Sequence, residues 1–190
     1  WYRLASADLD GDGDLDLVVG ATDGTLGYFE NTGTTAAPVF VEGVGIANPL
    51  DAIDVGSQST PVFADIDGDG DLDLVVGATD GTLSYFENTG SALVAGFVEQ
   101  SGAANPYDGI DVGGQSAPNF TDADNDGDLD LVVGTSDGTL AYYENIGSTL
   151  APIYVEQTGA ANPFDGIDPG AQSKPVFADL DGDGDAHVVV

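Results

Sequence analysis

Apolar residues in this chain come in short runs separated by Gly, Asn, Asp and Pro. Pro61-Val62-Phe63-Ala64 is followed by Leu72-Asp73-Leu74-Val75-Val76-Gly77, a nearly continuous apolar run, as expected for a strand covered on both faces. Asp80-Gly81 carries the signature of a two-residue hairpin, and Thr82-Leu83-Ser84-Tyr85-Phe86-Glu87 reads as the return strand. Asn88-Thr89-Gly90 turns the chain again, and Gly96-Phe97-Val98-Glu99 supplies a fourth short strand. No segment sustains a helical period, so the pattern predicts four antiparallel strands and little or no α-helix.

The pattern recurs with Asp23-Gly24, Tyr28-Phe29-Glu30-Asn31 and Pro38-Val39-Phe40-Val41-Glu42, and again with Asp137-Gly138, Tyr142-Tyr143-Glu144-Asn145 and Pro152-Ile153-Tyr154-Val155-Glu156. The steps 65 − 8, 122 − 65 and 179 − 122 between its acidic stretches are each 57. Units are drawn at 1–59, 60–116 and 117–173, with a partial terminal unit at 174–190. One four-stranded sheet of this size cannot bury both faces, whereas sheets stacked face to face can. The predicted fold class is therefore all-β: tandem four-stranded antiparallel blades, β-propeller-like, as a partial propeller or an open stack. Trp1-Tyr2-Arg3-Leu4 stands where the next unit has Gln58-Ser59-Thr60-Pro61, and Ala186-His187 where it has Leu72-Asp73, as in capping repeats. With no initiator Met and no signal peptide, the chain reads as a mature product or an excerpt of a longer one.

Charge narrows the function. The net charge is −32 and only Arg3 and Lys174 are basic, so there is no footprint for nucleic acid and little attraction to an anionic membrane. A hydrophobic content of 42% is too high for a disordered acidic tail. There is no cysteine for a disulfide framework, and no stretch reads as a membrane span.

The acidic stretches carry the chemistry. In Asp8-Leu9-Asp10-Gly11-Asp12-Gly13-Asp14-Leu15-Asp16, carboxylates at the first, third and fifth positions can converge on one hard cation. The glycine at the sixth permits the turn, the seventh offers its backbone carbonyl, and the ninth returns a carboxylate. The candidate metal ligands are Asp8, Asp10, Asp12, Asp14 and Asp16; Asp65, Asp67, Asp69, Asp71 and Asp73; Asp122, Asp124, Asp126, Asp128 and Asp130; and Asp179, Asp181, Asp183 and Asp185, where His187 replaces the last carboxylate. Calcium fits an all-oxygen set best. The twelfth position, a bidentate Glu in a helix-loop-helix site, is Val19, Val76, Val133 or Val190, so the loop leads into a strand. Such loops fill where calcium is millimolar, which points to an extracellular or cell-surface location.

Other features are weaker. Asn48-Pro49-Leu50-Asp51, Asn105-Pro106-Tyr107-Asp108 and Asn162-Pro163-Phe164-Asp165 read as inter-blade turns, or as a second cation site or partner-facing loop whose Leu50, Tyr107 or Phe164 makes a semi-exposed apolar contact. His187 has no nucleophile motif near it, and repetition of the Asp residues argues against a unique active site, so no catalytic residue and no enzyme activity is assigned. Asn119-Phe120-Thr121 is a lone glycosylation sequon.

Phe63-Ala64-Asp65-Ile66-Asp67-Gly68-Asp69-Gly70-Asp71-Leu72-Asp73-Leu74-Val75-Val76-Gly77, then Asp80-Gly81-Thr82-Leu83, then Tyr85-Phe86-Glu87-Asn88-Thr89-Gly90, resemble the FG-GAP/VCBS type of calcium-binding repeat found in integrin-α-like propellers and bacterial surface proteins. The resemblance implies a blade with its calcium loop between first and second strands, used for adhesion, for ligand display or beside secreted enzymes. The expected function is a calcium-stabilised extracellular structural or adhesion protein, assembling head-to-tail through its terminal half-blade into a fibre, with a surface protein or glycan as ligand. The alternative is a propeller fragment accessory to a secreted carbohydrate-acting enzyme.

Overall fold

A computed structural model describes residues 3–91, 94–182 and 186–190. The apolar runs are strands, and the strands form sheets in chain order. The first sheet is β1 (Arg3–Ala7), β2 (Asp16–Gly20), β3 (Leu26–Asn31) and β4 (Phe40–Gly43). The second is β5 (Thr60–Ala64), β6 (Asp73–Gly77), β7 (Leu83–Asn88) and β8 (Phe97–Gln100). The third is β9 (Ala117–Thr121), β10 (Asp130–Gly134), β11 (Leu140–Asn145) and β12 (Tyr154–Gln157), and β13 (Val176–Ala178) pairs with β14 (His187–Val189). All pairings are antiparallel in one repeated register: Ala7 opposes Asp16, Ala64 opposes Asp73, Thr121 opposes Asp130 and Ala178 opposes His187. Among the described residues the helical content is single 3₁₀ turns at Gly45–Ala47, Gly102–Ala104 and Gly159–Ala161. None is long and apolar enough to cross a membrane. The molecule is all-β, a series of open, propeller-like blades.

The first strands β1, β5, β9 and β13 lie side by side along the inside of the stack. The fourth strands β4, β8 and β12 lie outermost and are largely exposed. The core fills the layers between sheets. Leu74 and Val76 of β6 pack with Val18, Leu26 and Tyr28 of the first sheet, whereas Val75 packs the other way, with Leu131 and Val133. Every residue of β6 and β10 is buried, as a nearly continuous apolar run predicts. Leu17 and Val19 of β2 are only half-buried.

Two expectations change. The link between second and third strands is not a two-residue hairpin. β6 stops at Gly77 and β7 starts at Leu83, leaving Ala78 to Thr82 between them. The Asp80 carboxylate accepts both the N–H (3.1 Å) and the hydroxyl (2.7 Å) of Thr82, and the wider loop lets its carbonyls accept from the inter-blade connection. Ser116 N–H donates to Ala78 O at 3.0 Å and Val112 N–H to Gly81 O at 3.1 Å. Nor is the apolar residue after Asn-Pro semi-exposed: Leu50, Tyr107 and Phe164 are 0%, 1% and 8% exposed. Asn48 Oδ1 accepts the Leu50 N–H at 2.9 Å, turning the side chain into the layer between sheets. Tyr107 packs there against Tyr154, ring centres 5.0 Å apart, and edge-on to Tyr85 at 5.9 Å. The segment is an inter-blade wedge.

Buried Ser59, Ser116 and Ser173 stitch one blade to the next. Ser116 Oγ accepts the Ala78 N–H at 2.9 Å and donates to Thr82 O at 2.8 Å, and Ser59 and Ser173 repeat both bonds one blade away. Gly77 makes room for this contact, since a Cβ there would stand 2.5 Å from Ser116 O and 2.8 Å from Pro118 Cδ. Gly77→Ala should lower the unfolding free energy by about 1–3 kcal/mol. Gly27→Ala, whose Cβ meets nothing closer than 3.5 Å, should stay within about 0.5 kcal/mol of the parent. Denaturant unfolding of the two variants checks this.

Candidate metal centre

Each acidic loop is folded on its own carboxylates. Asp8 accepts the Gly11 N–H through Oδ1 (2.7 Å) and the Gly13 N–H through Oδ2 (3.0 Å). Asp10 accepts the Asp12 N–H at 3.1 Å, and Asp12 the Asp14 N–H at 2.9 Å. Asp65, Asp67 and Asp69 repeat all of these bonds. Asp122, Asp124 and Asp126 repeat those to Gly127, Asp126 and Asp128. The winding needs left-handed backbone at the fourth and sixth positions. Gly11 (φ 73°) and Gly13 (φ 92°) supply it in the first loop, and Asn125 (φ 62°) takes the fourth position in the third, a role asparagine tolerates.

This winding draws carboxylates together. Single oxygens of Asp8, Asp10 and Asp16 lie within 4.8 Å of one another, as do those of Asp65, Asp67 and Asp69, and those of Asp122, Asp124 and Asp130. Asp12, Asp14, Asp71, Asp73, Asp126 and Asp128 fall outside the group of their own loop. The Asp14 carboxylate instead accepts the Thr35 hydroxyl at 2.7 Å. In the fourth loop Asp179 and Asp181 converge with His187, while Asp183 and Asp185 lie outside the described residues. The first three donor sets are all oxygen, and no Lys or Arg pairs with them among the described residues. Burial first, then repulsion from Asp16, Asp12 and Asp8, holds the Asp10 carboxyl above its ordinary range, even though the Asp12 N–H pulls it back. Three hard oxygens with uncompensated charge fit a hard divalent cation, and the groups can hold a metal ion.

The ninth-position aspartates do more than the sequence suggests. Asp16, Asp73 and Asp130 are each 1% exposed. Asp16 Oδ2 accepts the Leu9 N–H (3.2 Å) and the Tyr28 hydroxyl (2.9 Å), and Oδ1 accepts the Asn31 N–H (2.8 Å). Asp73 holds Ile66, Tyr85 and Asn88 in the same way, and Asp130 holds Ala123, Tyr142 and Asn145. The sequence signal was present but unread: a Tyr follows each of these Asp residues by 12 positions. Burial, with the adjoining carboxylate, raises the three tyrosine hydroxyls well above their usual range. In the fourth loop His187 takes over part of the role: Leu180 N–H reaches its Nδ1 at 3.5 Å, and its Nε2 lies 3.9 Å from Asp181 Oδ2.

Burial pushes the Asp73 carboxyl up to about 6, against the pull of the Asn88 N–H, the Tyr85 hydroxyl and the Ile66 N–H. The folded value lies above the ordinary aspartate value of about 3.9, so the cation-free fold takes up a proton that the unfolded chain does not. The resulting stabilisation is full below about pH 4 and is lost as pH rises through about 6. Asp80 behaves oppositely, held below its ordinary range by the Thr82 hydroxyl and N–H. Carboxyl-carbon NMR of dialysed, cation-free protein should show Asp73 titrating near 6 and Asp80 below the aspartate norm. A saturating divalent cation should move the Asp73 midpoint down, because positive charge beside Asp67 offsets the repulsion that raises it and favours the ionised carboxylate.

A family model described as FG-GAP-like repeat matches residues 8–76, 65–133 and 122–190. Each match runs from one acidic loop, through the rest of its sheet, to the strand after the next loop. Curated proteins provide no match. The three overlapping matches together cover nearly the whole length, and the chain belongs to the FG-GAP-like repeat family.

Proposed function

We propose that this repeat protein is an extracellular structural or adhesion module whose blades are stabilised by calcium in the loops between first and second strands. The observation that carries the reading is the recurrence of convergent carboxylate oxygens in successive loops, with no Lys or Arg paired to them among the described residues. An ion of two positive charges relieves that repulsion and supplies a common partner for oxygens already held by the loop's own N–H groups. Modest-affinity loops of this kind fill at extracellular calcium levels, which supports the location. No part of the reading calls on catalysis.

The chain is proposed to associate head-to-tail with further blades, into a fibre. Leu17 and Val19 leave the outer face of the first sheet half-covered, and Val176, Leu180 and Val189 are exposed at the other end of the stack. Another blade laid on either face would bury apolar surface of the kind already packed between the sheets. A head-to-tail contact of this type closes into a ring or continues as a filament, as the rotation per blade dictates.

Thermal unfolding in calcium, in magnesium and in excess chelator tests the first part. Calcium should raise the melting temperature strongly, since each loop that binds only when folded contributes about 2.7 kcal/mol at a hundredfold excess over Kd. A melting curve indifferent to chelator would exclude the calcium reading. Native mass spectrometry of the same samples tests the second part, and compact monomers alone in calcium would refute head-to-tail assembly.

The fourth loop should bind most weakly, because imidazole is a poorer ligand for a hard cation than carboxylate. His187→Asp should therefore add calcium affinity at that loop alone, read by calorimetric titration. Unchanged stoichiometry and affinity would show that the ninth position is not a ligand and serves only the hydrogen bonds described above.

A further inference from the structure

The two basic residues of this strongly acidic chain occupy the same place in the repeat. Arg3, Thr60, Ala117 and Lys174 are successive equivalents at the 57-residue period, and the first two begin β1 and β5. The four residues line one cavity of about 450 Å³, bounded by the first strands of the stacked sheets. Its next ring, Leu4, Pro61, Pro118 and Pro175, is apolar, and the three prolines present no N–H to it. Arg3 is 6% exposed and Thr60 8% exposed. Arg3 Nη1 and Thr60 Oγ1 are buried without a hydrogen-bond partner, and no ion pair forms at Arg3 or Lys174 among the described residues.

A guanidinium so far removed from water with a donor unmet is costly unless a negative charge joins it. With 34 Asp and Glu residues in the chain, a partner carboxylate would be easy to supply, yet none of those described lies in the wall of this cavity. Lys174 is near enough that Arg3's charge, after burial, helps lower its affinity for a proton, so the two cations face a shared space. We propose that this cavity is an oxyanion site, in which a small dianion such as a dicarboxylate or sulfate binds between Arg3 and Lys174 with the Thr60 hydroxyl as a further donor. The planar guanidinium donates a pair of parallel hydrogen bonds to a carboxylate, and the lysine adds an unoriented positive charge. The site is independent of the calcium loops, which lie at the other end of the first strands.

Calorimetric titration of the calcium-loaded protein with malonate and with sulfate, against chloride at equal ionic strength, tests the proposal. The wild type should bind both dianions in preference to chloride. Arg3→Met should weaken malonate binding by at least about tenfold. It should also melt no lower than the parent without malonate, because it removes a buried charge that lacks a partner. Lys174→Met and Thr60→Val should each weaken binding by a smaller factor, and they test the site independently should Arg3→Met fold poorly. The acidic loops are common to all variants, so calcium scavenging by malonate shifts them alike. Absence of dianion binding in the wild type, or binding that persists unchanged in the variants, overturns the proposal. So does a fall in native mass on Arg3→Met with no malonate effect in the parent, since the anion would then be a carboxylate of another copy.

Discussion

Each complete sheet closes on a carboxylate that it has buried. Asp16 takes hydrogen bonds from the loop at Leu9, from the Tyr28 hydroxyl on β3 and from the Asn31 N–H at its end. The same residue opens β2 opposite Ala7 of β1. One charged group therefore fixes the first hairpin, the acidic loop and the third strand relative to each other. A carboxylate buried with fewer donors would destabilise the fold by several kcal/mol. With three donors it becomes a tie whose loss would be felt in three strands at once. The loop hangs from this frame with its N–H groups already taken by Asp8, Asp10 and Asp12. Its shape is set by hydrogen bonds from its backbone N–H groups to those carboxylates, which leaves the carboxylates' mutual repulsion without a fixed positive partner among the described residues.

Much of this architecture was legible because repetition made each signal appear several times. A single Leu-Asp-Leu-Val-Val could be a buried helix segment or a strand, but its recurrence between fixed turns settles the choice, and β6 and β10 are buried throughout as that run implies. The convergence of the first and third loop positions was also readable from spacing. What escaped was cooperation between elements distant in sequence. Asp80-Gly81 looked like a tight hairpin because the local signal cannot show that Ser116 and Val112 will need the carbonyls of Ala78 and Gly81. Leu50, Tyr107 and Phe164 looked semi-exposed because Asn-Pro marks a turn, and nothing local says the turn is tucked between two sheets. Ser59, Ser116 and Ser173 were passed over because serine in a polar linker is unremarkable until its hydroxyl is found holding the neighbouring blade.

Charge of opposite sign is separated along the first strand. Arg3 stands at the start of β1 and Asp8 just beyond its end. At roughly 3.3 Å per residue the two are about 16 Å apart. That is several times the reach of an ion pair. Across that distance Arg3 forms no ion pair with the acidic loop that follows its strand. The first strands thus have an acidic end in every repeat and a basic end in two of them. The repeat builds the acidic end by bringing three carboxylate oxygens together in each intact loop, from the first, third and ninth positions in the first and third loops and from the first, third and fifth in the second. Its first and last copies carry the basic one, at a single repeat position, inside a cavity whose prolines offer no hydrogen-bond donor of their own.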